Sequence, residues 1–310
     1  VKILCHLPIR TQASSELQRA AKILGVNCEL ATSGRHVVRF AEESCDQHSG
    51  ALIVTTDEHA DLLREVQARA PAVHVLMVTT KQFTELPYFL SLSPIVSGFF
   101  ISPTGNCSAQ YFLNFLRQEM SPAPLDLAAH LDRDQRLITL QLDEQSSKSA
   151  VLRSANDFFL WCLGDADDTA SIHRARQLED SLDELLTNVA RHGPHKSDGP
   201  KTVRAQIQLG FDGSTVGIRV QDPYGCLRRH NLLERLATDH AALDRLGEQS
   251  WPDGGLGFKM ILDKKQRVII NLHENISTEV ICLTRLSSRQ ADTSGQPVAL
   301  EIRSWPRATA

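Results

Sequence analysis

With 310 residues, 42% of them hydrophobic and 23% charged, the chain is long enough for two ordinary domains with a core each. A formal net charge of −4 and a pI near 6.3 leave no basic footprint, which argues against nucleic acid and anionic membrane surfaces as partners. Cys5, Cys28, Cys45, Cys107, Cys162, Cys226 and Cys282 are dispersed with no C-x-x-C pair, so a clustered zinc site is excluded and buried free thiols are expected. With no apolar run near the length of a membrane span and no basic-then-apolar leader, a cytoplasmic location is expected.

Residues 1–120 alternate strand and helix signals. Apolar runs at Val1–Leu7, Cys28–Ala31, Ala51–Thr55, Val73–Thr79 and Gly98–Ser102 are separated by helical patterns at Thr11–Leu24, Arg35–Ser44, Glu58–Ala70, Gln82–Leu92 and Ala109–Met120. Five such units predict a doubly wound parallel sheet, and the rhythm resembles a two-component receiver domain. The receiver chemistry does not follow it. The first strand ends in Cys5-His6-Leu7-Pro8 where acidic residues are usual, the third in Thr55-Thr56 and the fifth in Ser102-Pro103 where a lysine is usual. Thr79 or Thr80 fits, and Asp57 lies just past the usual phosphoacceptor position without an acidic pair or that lysine. A pseudo-receiver is therefore expected, with His6 and His74 read as unpaired strand residues.

Ser121-Pro122-Ala123-Pro124 opens a linker over 121–135. His130 within it is weighed as a phosphoacceptor and set aside, because the segment is too short for a dimerising helical hairpin. A strand-like Leu137–Leu142 follows, then an amphipathic helix at Ser149–Leu163 with Phe158, Phe159 and Trp161 near its end.

The next helix carries the first chemical motif. Leu182, Leu185, Leu186 and Val189 form its buried stripe, and Glu184 and Asn188, four apart, stack on another face before Gly193-Pro194 ends it. A carboxylate beside a carboxamide suits holding hydrated Mg²⁺ and orienting a hydroxyl, although the same spacing describes a solvated face. Hairpin strands at Thr202–Leu209 and Thr215–Val220 lead to Asp222-Pro223-Tyr224-Gly225, which reads either as a binding turn or as a plain strand-closing turn. After a leucine-bearing, helix-rich segment over Leu227–Pro252 comes Gly254-Gly255-Leu256-Gly257 at the start of a helix-like run, suited to cradling phosphates or to serving as a hinge. Val268–Leu272 and Thr278–Leu283 read as closing strands. After Ser287 a polar stretch precedes the alternating run Val298–Trp305, read either as an added strand or as a partner contact.

Those three motifs, in that order over 136–287, resemble the ATP-binding domain of the GHKL superfamily, and within it the anti-sigma-factor serine kinases. The resemblance implies an α/β sandwich and the cofactors ATP and Mg²⁺. Asn188 would ligate Mg²⁺, and Glu184 would take the proton from the attacking hydroxyl. Asp222 would accept from the adenine amino group, with Gly225 letting the backbone approach the base and Thr278 helping to hold it. Gly254, Gly255 and Gly257 would fold over the phosphates, and Arg191, one turn past Asn188, would face them or remain a surface arginine. The segment over 227–252 would be the ATP lid. Two positions depart from the family pattern: Leu227 follows Cys226 where a second glycine is usual, and Ser277 precedes Thr278 where glycine is common.

The expected organisation is a receiver-like domain over 1–120, a linker over 121–135, an ATP-binding domain over 136–287 and a tail over 288–310. The expected function is phosphorylation of Ser or Thr on a protein partner, an antagonist, sigma factor or other regulator. A homodimer is also allowed, and neither nucleic acid nor membrane is expected as a partner. The alternative is a non-catalytic nucleotide-sensing interaction protein with a degenerate site.

Overall fold

The computed structural model describes residues 1–8, 11–46, 50–81, 92, 96–102, 108–120, 125–132, 134–143, 146–164, 168–192, 203–234, 261, 267–286 and 299–305. The chain is mixed α/β and divides into two compact units. Val1–Leu125 with Ala299–Glu301 form the first, and Asp126–Val298 with Ile302–Ala310 form the second.

In the first unit, strands β1 (Lys2–His6), β2 (Cys28–Leu30), β3 (Ala51–Thr56), β4 (His74–Thr79) and β5 (Gly98–Ile101) are parallel in the order β2-β1-β3-β4-β5. Helices α1 (Gln12–Ile23), α2 (Gly34–Asp46), α3 (Ala60–Arg69) and α4 (Ala109–Met120) alternate with them. The Thr11 hydroxyl caps α1 by accepting from Ser14 N–H at 3.2 Å. Ile3, Cys5, Leu52, Val54, Leu76, Val78 and Phe100 share a core with Leu17 and Ala20 of α1 and Phe112 and Leu116 of α4. The intervening strand residues Leu4, Ile53, Val75, Met77 and Phe99 are equally buried, as are Val37 and Ala41 of α2 and Leu63 and Val66 of α3. Strands buried on both faces read in sequence as continuous apolar runs, which is how these were found. The helix expected over Gln82–Leu92 lies outside the described residues except Leu92, which is helical and buried.

The second unit is built on an antiparallel sheet. β6 (Arg136–Leu142), β7 (Ala205–Phe211), β8 (Thr215–Asp222), β10 (Ser277–Arg285) and β9 (Arg267–His273) lie side by side in that order. Helices α5 (Lys148–Leu163) and α6 (Thr169–His192) lie against each other, α5 also on β6 and β7 and α6 on β8. Register separates the two faces. Ile207, Leu209, Val216, Ile218, Val220, Val280 and Val268 are buried on one face, and the contact of Trp161 in α5 with Phe211 marks it as the helical side.

On the other face Arg219 donates to the buried Glu279 carboxylate, which also accepts from Asn271, while Gln206, Gln208 and Gln221 accept from the same guanidinium. A buried ion pair is tolerated because its remaining donors and acceptors are satisfied in this way. Beside it Leu127 and Leu131 join Ile269, Ile281 and Leu283 in a small apolar cluster. Gly210 and Gly217, paired in the β7–β8 hairpin, make room for those leucines. A Cβ at Gly217 would stand 2.8 Å from Leu127 Cδ1, and one at Gly210 would stand 2.5 Å from Leu131 Cδ1. Residues 126–132 thus belong to the second unit as a seated strap, although composition alone placed them in a linker.

The last described strand, β11 (Ala299–Trp305), contributes Ala299–Glu301 to the first unit and its remaining residues to the second. Cys5, Cys162 and Cys282 are buried free thiols and Cys28 and Cys45 are partly buried, with burial pushing Cys28 and Cys162 up to about 12. Cys226 differs from the expectation of burial, because the turn that carries it faces solvent. Among the described residues no helix is long and apolar enough to cross a membrane.

Candidate functional site

Asp222 closes β8, and three features of its surroundings follow from the local sequence. Pro223 cannot continue a ladder, so the chain turns, and the Asp222 carboxylate accepts from the N–H groups of Tyr224 at 2.8 Å and Gly225 at 3.2 Å. Register places Thr278 of β10 directly opposite. Burial pushes the Asp222 carboxyl above its ordinary range, and the Tyr224 and Gly225 amides and the Thr278 hydroxyl and backbone oppose that shift without cancelling it. The Thr278 hydroxyl is buried and stands close enough to favour the Asp222 charge.

Gly225 has φ near +57°, and a Cβ there would meet His273 O at 2.3 Å and Ile276 N at 2.5 Å. The close approach in this structure is therefore to the β9–β10 turn, whose Asn275 N–H donates to Gly225 O at 3.0 Å. Arg228 secures the same turn through Glu274 at 2.6 Å and Asn275 Oδ1 at 2.9 Å. The Tyr224 hydroxyl accepts from Arg204 N–H at 3.0 Å. Sequence reading missed these contacts, which hold the Asp222 turn still.

Glu184 and Asn188 project from α6 on a partly exposed face, and Arg191, one turn on, is exposed. Their helix is seated by Leu182, Leu185 and Leu186, all buried, and rests on β8, the strand that ends in Asp222. Lys148 at the start of α5 fixes the neighbouring face of α6, with Nζ 2.7 Å from both Asp183 Oδ1 and Thr187 Oγ1. The structure thus brings Asp222, Gly225 and Thr278 together and puts Glu184 and Asn188 on a helix against the same strand. Gly254, Gly255 and Gly257 lie outside the described residues. Of the segment over 227–252, residues 229–234 are helical with Leu232 and Leu233 buried, and Leu236, Leu243 and Leu246 lie outside the described residues.

The residues present fit an adenine nucleotide at one end. A half-buried carboxylate can accept from an amino group, and the buried hydroxyl beside it can donate to a ring nitrogen. A carboxamide and a carboxylate four apart on a helix can hold hydrated Mg²⁺ and a proton.

In the first unit His6 and His74 are paired, contrary to the sequence expectation, because their partners come from distant elements. His6 Nδ1 stands 3.2 Å from Thr55 Oγ1, and its ring lies 4.2 Å from that of His59. His74 pairs with Glu119 at 3.0 Å. Asp57 has a cation after all: Lys81, just after β4, places Nζ 3.5 Å from its carboxylate. His130 ends the 3₁₀ turn Leu127–His130, where burial and the charges of Arg267, Arg303 and Arg219 push its imidazole well below the ordinary value. The chain matches no protein-family model and no curated protein.

Proposed function

We propose that the second unit binds ATP with Mg²⁺ in the manner of the GHKL superfamily and transfers a phosphoryl group to Ser or Thr of a protein partner. The anti-sigma-factor kinases are the closest analogy, and the first unit serves as a receiver-like regulatory domain. The main support is the pairing of Asp222 with Thr278: a half-buried carboxylate held by two backbone N–H groups, with a buried hydroxyl beside it. Asp222 accepts from the adenine amino group, and Thr278 orients the ring. Asn188 holds Mg²⁺, and Glu184 takes the proton from the acceptor hydroxyl as it attacks. Bound ATP supplies the transferable γ-phosphoryl group, and the new phosphate breaks the partner's complex through its added charge.

Incubating the chain with γ-labelled ATP, Mg²⁺ and extract of its source cells should place label on phosphoserine or phosphothreonine. Glu184→Ala should abolish that labelling while ATP still binds. Labelling that survives in the variant contradicts the assigned base.

Gly225 lends support to a second reading, a nucleotide-sensing protein without turnover, because that glycine is already required by the β9–β10 turn rather than by a ligand. ATP binding with no Glu184-dependent transfer selects this version.

A further inference from the structure

The strand order of the first unit reverses direction between β1 and β3, which in a doubly wound sheet opens a crevice outside the carboxyl ends of the strands. Here two imidazoles meet at that end. His6 closes β1, and His59 ends the 3₁₀ turn Asp57–His59 that follows β3. Their ring centroids lie 4.2 Å apart with the planes inclined by 35°, a tilted stack. His6 Nδ1 stands 3.2 Å from the hydroxyl of Thr55, which is wholly buried and lies 3.5 Å from His6 O as well. That hydroxyl can donate to a bare Nδ1. When Nδ1 carries a proton, the hydroxyl can accept from it and turn its own proton to the carbonyl. His6 can thus change charge without unpairing a buried group, and what opposes the change is its partial burial and the ring beside it.

The charged groups around the stack come from several elements. His36 of α2 is held by Glu29 of β2 at 2.8 Å, Asp57 is matched by Lys81 at 3.5 Å, and Glu58 is exposed on the turn. Glu29 and Asp57 thus each have a partner of their own. Burial first, then the His59 and His36 rings, hold His6 below the ordinary histidine value. We infer that the first unit is a proton-responsive switch: the His6–His59 stack holds the Asp57–His59 turn in place at neutral pH and releases it when a second proton enters the pair. Two charges at this spacing in a partly buried site repel. His6 is fixed in a strand paired on both sides, so the ring that leaves is His59, on a turn of three residues. The turn carries Asp57 and leads into α3, so the movement reaches the start of that helix. Because the folded protein protonates His6 less readily than the unfolded chain does, the stack stabilises fully above the unfolded value. That contribution is lost as pH falls through the window between the unfolded and folded values. His74, at the opposite end of the sheet, responds in the other sense, since its hydrogen bond with Glu119 raises it. The switch lies wholly in the first unit and does not depend on ATP binding by the second.

The test is an NMR titration of the histidine rings and backbone amides of the full chain, beside His59→Gln and His59→Phe, from about pH 8 to about pH 5, where histidines change charge. In the wild type His6 should titrate below the ordinary histidine value, and the amides of Asp57, Glu58 and His59 should shift with the same midpoint. In both variants the His6 midpoint should rise, because one neighbouring imidazole is gone, and the turn should lose its response at that midpoint. His59→Phe keeps a ring in the stack without a titrating group, so it separates loss of charge from loss of packing. A His6 midpoint that neither variant moves overturns the inference, and so do turn amides that keep the wild-type response in His59→Phe.

Discussion

Asp57 and Asp222 both stand at the C-terminal end of a sheet strand, one in each unit, and their neighbours give them opposite character. Asp57 is largely buried, its side chain 14% exposed, and has the Lys81 ammonium beside it. Asp222 is held by two backbone N–H groups, faces a hydroxyl across the ladder, and is pushed upward by burial. A carboxylate matched by an ammonium is already neutralised and has little reason to recruit a ligand. A half-buried carboxylate held by backbone amides keeps acceptor capacity in a direction fixed by the fold. The same residue type at similar topological positions thus closes one site and leaves the other open to a donor.

That contrast breaks most visibly through catalysis. If chemistry belongs to the Asp222 side alone, Glu184→Gln lowers phosphoryl transfer by roughly two to four orders of magnitude, the usual contribution of a positioned base. ATP affinity then changes only a few-fold, and Asp57→Asn leaves the transfer rate unchanged under the same assay.

Next in size is Gly225→Ala. A Cβ within 2.3 Å of a backbone carbonyl, at positive φ, cannot be relieved by a side-chain rotation. Chemical denaturation should show a loss of about 3 kcal/mol. Gly217→Ala meets only the end of Leu127 and should cost about 1–2 kcal/mol, since a side chain can shift where a backbone cannot.

The pH response sharpens the comparison further. With its folded pKa raised, Asp222 is protonated by the folded protein more readily than by the unfolded chain. Its contribution to stability is therefore greatest below the unfolded value and declines as pH rises through the folded one. ATP binding runs the other way, because an accepting carboxylate is lost on protonation. Affinity should fall on acidification at a pH above the ordinary carboxylate value, and the profile should flatten in Asp222→Asn. The smallest effect belongs to Lys81→Ala, which removes a partly exposed ion pair and should change stability by under about 1 kcal/mol with ATP affinity unaltered.

Much of the fold was legible because its period is local. The buried stripe of α6 and the apolar runs of β1, β3 and β4 announce themselves within ten residues. The Asp222 turn was legible for the same reason, proline and glycine punctuating a strand end. What escaped notice was long-range pairing: His6 with Thr55, His74 with Glu119 and Asp57 with Lys81 join residues that no spacing rule connects. The strap over 126–132 was read as linker because two leucines in a short polar segment carry no period. Its signal lay elsewhere, in Gly210 and Gly217, two glycines paired across a hairpin where side chains should have been. Lys148 escaped for a related reason, since its partners Asp183 and Thr187 lie a full helix away.

The most direct measurement is calorimetric titration of ATP, with and without Mg²⁺, into the wild-type chain and into Asp222→Asn. The account predicts binding that depends on Mg²⁺ and weakens by about a hundredfold in the variant, in line with loss of a hydrogen bond to a charged group together with an amide N–H set against the incoming amino group. Wild-type protein that is folded yet takes up no ATP, or that binds it equally well after the substitution, would contradict the assignment of Asp222 to an adenine site.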